Sequence, residues 1–199
     1  MPSRLRPLRA RIAGLSLAIL AAPAALAAQQ PAPPTRAPVA PPTVPSARPG
    51  DAETIEGIIT ALYASISGPA GQARDWVRFR SLFLPGARLI PVNRNASDQV
   101  AARVMTPDEY ALGSGTFLQQ IGFTERELTH RVERFNDIAH VFSSYDGRGM
   151  NDGQETVTRG INSIQLMWDG TRWWVVTIFW SAERPGAELP AEWRGPGGN

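Results

Sequence analysis

The 199-residue chain contains no cysteine, no lysine and only two histidines. Without cysteine there is no disulfide, no thiolate nucleophile and no cysteine-based zinc site, and no lipoprotein anchor. Two histidines are too few for a histidine-rich metal centre, so the chain is expected to work without a metal or other cofactor. Basic charge is carried by arginine alone, 20 residues against 18 acids. Four of these arginines (Arg4, Arg6, Arg9 and Arg11) precede the apolar run IAGLSLAILAA at 12–22, and Ala25-Leu26-Ala27 presents the small residues a signal peptidase reads. Residues 1–27 are therefore expected to be a secretory signal peptide, which makes the protein periplasmic or secreted. The apolar run falls short of the roughly 20 residues of a membrane span, so an uncleaved anchor is the weaker alternative and no membrane anchor is expected after cleavage. Cleavage removes four bases and no acids, turning the formal charge from +2 to −2. The basic excess then carries no implication of nucleic acid, and no clustered basic and aromatic surface points to one.

Residues 28–50 hold eight prolines and almost no large apolar side chain. Such a segment has no core to bury and reads as a disordered, proline-rich linker. One folded domain is expected over 51–183, followed by a Pro/Gly-rich tail over 184–199 in which only Leu189 and Trp193 offer docking groups. Within the domain, Asp51 is placed to cap a helix running to Ser67, with Ile55, Ile58, Ile59, Leu62 and Ile66 on one face. A second helix carries Trp76, Phe79, Leu82 and Phe83 and is expected to stop at Pro85-Gly86. "ARLIPV" and "VAARVM" read as short strands. Thr106-Pro107-Asp108-Glu109 is a capping-box start for a third helix reaching Gln120. From Phe123 the pattern is β, with strands near 125–135, 138–147, 157–168 and 172–182. Turns are expected at Asn136-Asp137 and Asp169-Gly170, and a polar, mobile connection at 148–156. "RWWVVTIFW" is apolar on both faces, so one face should line an interior and the other meet a second layer or a second subunit.

Helices first and strands later give an α+β fold: N-terminal helices packed on the concave face of a curved, mostly antiparallel sheet, a cone-shaped, cystatin-like arrangement. This order resembles the nuclear transport factor 2-like superfamily, together with "RFRSLFLPGARL" at the helix-to-strand step and "RGINSIQLMWDGTRWWVVTIFWSAE" as final hairpin. That superfamily includes ketosteroid isomerases and SnoaL-like cyclases, and "RFNDIAHVFSSY" is similar to the middle hairpin of an uncharacterised bacterial branch. The resemblance covers 51–183 and implies a pocket between helices and sheet. Aligned with the isomerases, Tyr63 takes the position of their tyrosine. Pro91 falls at that of the carboxylate base and Ile164 near that of the acid that binds the oxyanion. Neither is acidic, so the isomerase mechanism is excluded.

The same register places His140, Phe142 and Ser144 towards the pocket, with Asn162 and Ile164 from the next strand and Trp174, Val176, Ile178 and Trp180 from the last. This is an apolar, aromatic lining with few polar groups, the make-up of a small-molecule site. His140 and Tyr63 are the candidate catalytic pair, since imidazole titrates near neutral pH; the alternative is a buried neutral imidazole bonded to Tyr63, Ser144 or a carbonyl. Asp137 belongs to the opposite face and is a poor orienter. His130 reads either as a pocket-rim residue or as a half-exposed strand residue. Glu125, Arg126, Glu127, Arg131, Glu133 and Arg134 read as a solvated or subunit-facing strand surface, and Arg159 as a surface ion pair, with binding of an anionic ligand group at the cone's mouth as the weaker alternative. The function expected is an exported, SnoaL-like protein that binds a small, mostly apolar ligand as a homodimer. The alternatives are a cofactor-free acid–base enzyme (isomerase, dehydratase or hydrolase) using His140 and Tyr63, and a scaffold whose cone is filled by its own side chains.

Overall fold

The computed structural model describes residues 43–196. The expected signal peptide and the linker as far as Pro42 lie outside the described residues. Residues 43–50 run along the folded body, where Ala47 packs on the core and Arg48 pairs with Asp75.

Helix α1 spans Ile55–Ile66 and buries the face anticipated from its isoleucines. Its N-cap is Thr54, whose hydroxyl accepts from the Gly57 amide at 2.9 Å. Asp51 does not cap. It receives both arms of the Arg78 guanidinium at 2.7 Å, a forked pairing that a planar guanidinium favours over a single amide. Helix α2 is one and a half turns, Trp76–Ser81, capped by Asp75. It ends before Pro85-Gly86, and strand β1, Phe83–Arg94, runs through that dipeptide. The Pro-Gly step therefore does not stop a helix. It lies inside a register shift of β1 against β6 between Phe83 and Arg88, where Gly86 takes φ 90°. Strand β2 is Val100–Ala102. Helix α3, Pro107–Ile121, has the full capping box between Thr106 and Glu109 and ends on Gly122 in the left-handed region.

Strands β3 (Thr124–Phe135), β4 (Ile138–Asn151), β5 (Gln154–Trp168) and β6 (Trp173–Ala182) complete a six-stranded curved sheet ordered β2-β1-β6-β5-β4-β3. Only β1 and β6 pair in parallel. The fold is thus the α+β arrangement expected. The mobile connection at 148–156 is a correction: β4 and β5 continue through it as a paired hairpin to Asn151↔Gln154. The two-residue turn Asp152-Gly153 has both φ values positive, 50° and 76°, the backbone of a type I′ turn.

The core lies between the concave face and the helices. Ile58 and Ile59 of α1, Phe79 of α2 and Val141, Ile164 and Val175 of the sheet are almost wholly excluded from water. The C-terminal tail crosses the outer face of the sheet. There Leu189 is buried and Trp193 packs edge-on against Phe142 with ring centroids 5.1 Å apart.

Candidate functional site: a carboxyl in an aromatic cavity

A cavity of about 190 Å³ opens between the helices and the concave face. Helix α1 contributes Leu62, Tyr63 and Ile66, α2 contributes Phe79, and α3 contributes Tyr110 and Leu118. The sheet side is formed by Leu89, Glu125, Tyr145, Asn162, Ile178 and Trp180, with Phe123 and the exposed Thr158 towards solvent. The scaffold with a filled cone is therefore not what these side chains form.

Two β-bulges decide which strand residues face this cavity. On β3, Glu127 pairs with Tyr145 and Thr129 with Ser144, so Leu128 is the extra residue. Strand parity reverses there, and Glu125 and Glu127 turn to the concave side instead of the solvated face expected of them. On β6, Gln165 pairs with Thr177 and Leu166 with Val175, leaving Val176 over. Trp173 and Val175 face inward before this bulge, and Ile178 and Trp180 after it. Trp174 falls on the outside, where Arg172 stacks on its ring at 3.8 Å and Asp169 accepts from its indole at 2.6 Å.

The register also corrects β4. Ser143 pairs with Asn162 and Val141 with Ile164, while His140 sits opposite Gln165. Residues directly opposite share a face, so an inward Asn162 requires an outward His140. His140 and Phe142 line a separate cleft on the outer face with Arg131, Glu133 and Trp193. Ser144 is buried and donates to the Thr129 carbonyl at 3.2 Å, and Ile164 belongs to the solid core. Of the residues singled out from the sequence, the structure brings Tyr63, Asn162, Ile178 and Trp180 to one cavity. It separates them from His140, Phe142, Ser144, Ile164 and Trp174.

The outer His140 has partners that the sequence did not disclose. Its Nε2 lies 2.9 Å from Ser163 Oγ, and its Nδ1 lies 3.7 Å from Glu133. The Ser–His–Glu order suggests nucleophilic chemistry. However, the Glu133 side chain is 74 % exposed, and the adjacent strand amides are engaged in a continuous β4–β5 ladder. Such a site has no backbone donors for an oxyanion, and the arrangement is a surface hydrogen-bond set.

Two polar groups of the lining, Asn162 and Tyr63, begin a directed chain that runs behind the cavity wall. Ser143 Oγ donates to Glu127 at 2.6 Å. With its single proton committed, Ser143 accepts from the Tyr63 hydroxyl at 2.8 Å. Tyr63 in turn accepts from Asn162 Nδ2 at 3.1 Å. Glu127 closes the chain with His130 Nδ1 at 3.0 Å, so His130 supports this network from the edge of the concave face without lining the cavity. Tyr63 thus spends its proton on the protein. An amide cannot pass a proton along, so the chain fixes positions and does not conduct from Asn162 outward.

Glu125 is different. Burial among apolar side chains pushes its carboxyl up to about 7, with a hydrogen bond from Asn162 opposing the shift. Although part of its surface still meets the cavity's own space, its neighbours are rings and aliphatic groups, and no arginine or histidine lines the cavity. Burial also raises the phenols of Tyr63, Tyr110 and Tyr145 above their ordinary value, so all three remain neutral at physiological pH. Sequence reasoning missed Glu125 because only the bulge at Leu128 turns it inward, and "TERELTHRV" carries no local mark of a bulge. The outward placement of His140 did have a signal: Asp152-Gly153 is a hairpin dipeptide, and a two-residue turn there fixes the β4–β5 register.

No protein-family model matches the chain, and no curated protein matches it. Solved structures do. An NTF2-like protein with a cystatin-like fold from Novosphingobium aromaticivorans superposes with a TM-score of 0.50 at 15 % identity, covering 71 % of this chain and 84 % of that one. A nuclear transport factor 2-like superfamily protein from Salmonella enterica gives 0.49 at 17 % identity, covering 71 % and 91 %. The chain has the NTF2-like, cystatin-like fold.

Proposed function

We propose that the protein binds a small, mostly apolar molecule bearing one polar group in the cavity between α1, α3 and the sheet. The observation that carries this reading is the isolated Glu125 carboxyl, held at about 7 in an otherwise apolar and aromatic enclosure. Burying an ionisable group without a counter-charge costs stability, and such uncompensated groups mark functional sites. The cavity sets the size: an apolar cavity of about 150 Å³ holds benzene, so about 190 Å³ suits roughly one ring with a substituent. Benzyl alcohol is a fitting neutral probe. Titrated into the protein, it should shift the amide resonances of Ile66, Leu118 and Ile178, and Ile178→Trp, which puts an indole into the space, should abolish the effect. No shift at millimolar probe would sink this reading.

Acid–base catalysis is the second reading. A carboxyl that titrates near neutrality is poised for proton transfer, and that role falls to Glu125 rather than to a His140–Tyr63 pair, whose members lie on opposite faces of the sheet.

Export to the periplasm or beyond belongs to the same proposal and rests on the arginine-led apolar segment at 1–27. So does a homodimer through the outer face of β5 and β6. Phe179 is 47 % exposed in the middle of β6 and Val157 is exposed on β5, whereas the C-terminal tail already covers the β3–β4 side at Phe142. Sedimentation equilibrium at micromolar concentration should give twice the chain mass, and Phe179→Glu should return it to the monomer. A wild-type monomer would remove the dimer.

A further inference from the structure

We propose that the cavity selects a small organic cation: a protonated amine on a one-ring apolar body, with its ammonium on Glu125 and its body within the aromatic wall. This rests on the reading of the cavity as a ligand site and narrows it to a charge class. Three observations converge on it.

The first is the charge inventory. Among the described residues, Glu125 is the only charged one that lines the cavity. Of the charged side chains on the surrounding elements, Glu127 on β3 is committed to Ser143 and His130. Arg74 spends its donors on the carbonyls of Ile66, Gly68, Gln72 and Leu118. On α2, Arg78 pairs with Asp51 and Arg80 with Asp108. The three phenols are neutral, and β5 and β6 offer Asn162 and Trp180. An anion entering here would meet a carboxylate and no base.

The second is the shortage of free donors. Tyr63 donates to Ser143 and Asn162 donates to Tyr63. These two donors are taken and a neutral carbonyl ligand is left with the Tyr145 hydroxyl of the lining, whereas an ammonium brings its own donors to the acceptor oxygens of Glu125.

The third is the wall. Phe79 and Tyr110 stack at 5.5 Å, and Tyr110 meets Trp180 edge-on at 6.2 Å. Phe123 and Tyr145 add further rings. Ring faces attract cations, and the attraction grows where water is excluded.

Benzylammonium, benzyl alcohol and benzoate share one shape and carry charges of +1, 0 and −1. At pH 8 benzylammonium should bind at least about tenfold more tightly than benzyl alcohol, and benzoate should not bind. Benzylammonium stays protonated throughout, so lowering the pH to 6 should weaken it about tenfold as Glu125 takes up its proton. Benzyl alcohol should change little. Glu125→Gln, with its fold checked by circular dichroism, should lose the preference for the amine and keep the alcohol. Alcohol binding without preference for the amine, benzoate binding, or tighter amine binding at pH 6 would overturn the cation and leave the ligand site standing. Binding of none of the three would overturn both.

Discussion

At pH 8, Glu125→Gln is expected to be more stable than the parent protein by roughly 3 kcal/mol, and the two should converge near pH 4. The sign follows from linkage. The folded carboxyl titrates at about 7 and an unfolded glutamate near 4.3, so between these values the folded state holds more protons than the unfolded one. Stability then falls as pH rises through that window. A separation of between two and three pKa units, at 1.36 kcal/mol each, gives about 3 kcal/mol. Glutamine has nearly the same shape and no charge, so its curve lacks this slope. Urea unfolding of both proteins from pH 4 to pH 8 measures the difference. Parallel curves, or a less stable variant at pH 8, would show that Glu125 is not strained. A stabilising substitution at a pocket residue is also the expected sign of a group kept for function at the expense of stability. If the cation reading holds, saturating benzylammonium should recover part of the parent's deficit by mass action.

Arg74→Met should destabilise the protein by about 4 kcal/mol. Arg74 is 5 % exposed and has no carboxylate partner among the described residues. Burial pulls its guanidinium below the usual range, yet an arginine stays charged. What compensates it is backbone: Nε donates to Ile66 O at 3.0 Å, Nη1 to Gln72 O at 2.7 Å, and Nη2 to Gly68 O at 2.7 Å and Leu118 O at 2.6 Å. These carbonyls belong to the end of α1, the loop after it and the last turn of α3; Leu118 O also accepts from the Gly122 and Phe123 amides, whereas among the described residues those of Ile66, Gly68 and Gln72 have Arg74 as their donor. Methionine would fill the volume and leave the Ile66, Gly68 and Gln72 carbonyls unsatisfied, at about 1–3 kcal/mol for each that water does not reach. Arg74→Lys should recover only a fraction, because a point donor does not reproduce the fork. The midpoint of urea unfolding at unchanged m-value reads the loss, and a change under about 1 kcal/mol would refute the role. Ile66 and Leu118 also line the cavity, so probe affinity should fall in the same variant.

Much of the architecture was legible because its signals are local. The isoleucine stripe of α1, the Thr106–Glu109 capping box and the strands after Phe123 each follow from neighbours within one turn or one strand, and each is present. Where local signals competed, the reading erred. Asp51 and Thr54 both suit an N-cap, and a distant partner, Arg78, claimed Asp51. Pro85-Gly86 suits a helix stop, but β1 had β6 beside it to pair with and absorbed the dipeptide in an irregular register.

By itself the sequence determined the order of helices and strands, the absence of thiol chemistry and the aromatic content of the last strand. Those are properties of composition and of short-range periodicity. The tertiary structure alone decided which side chains meet. A strand side chain's face depends on the count of residues back to a pairing partner, and a single unpaired residue inverts every face beyond it. Leu128 and Val176 are two such residues. They turned Glu125 into the cavity and Trp174 out of it, and the Asp152-Gly153 turn set His140 on the outer face. The candidate chemistry thereby moved from a histidine, conspicuous because the chain has so few, to a carboxyl that the sequence shows only as one charge in a run.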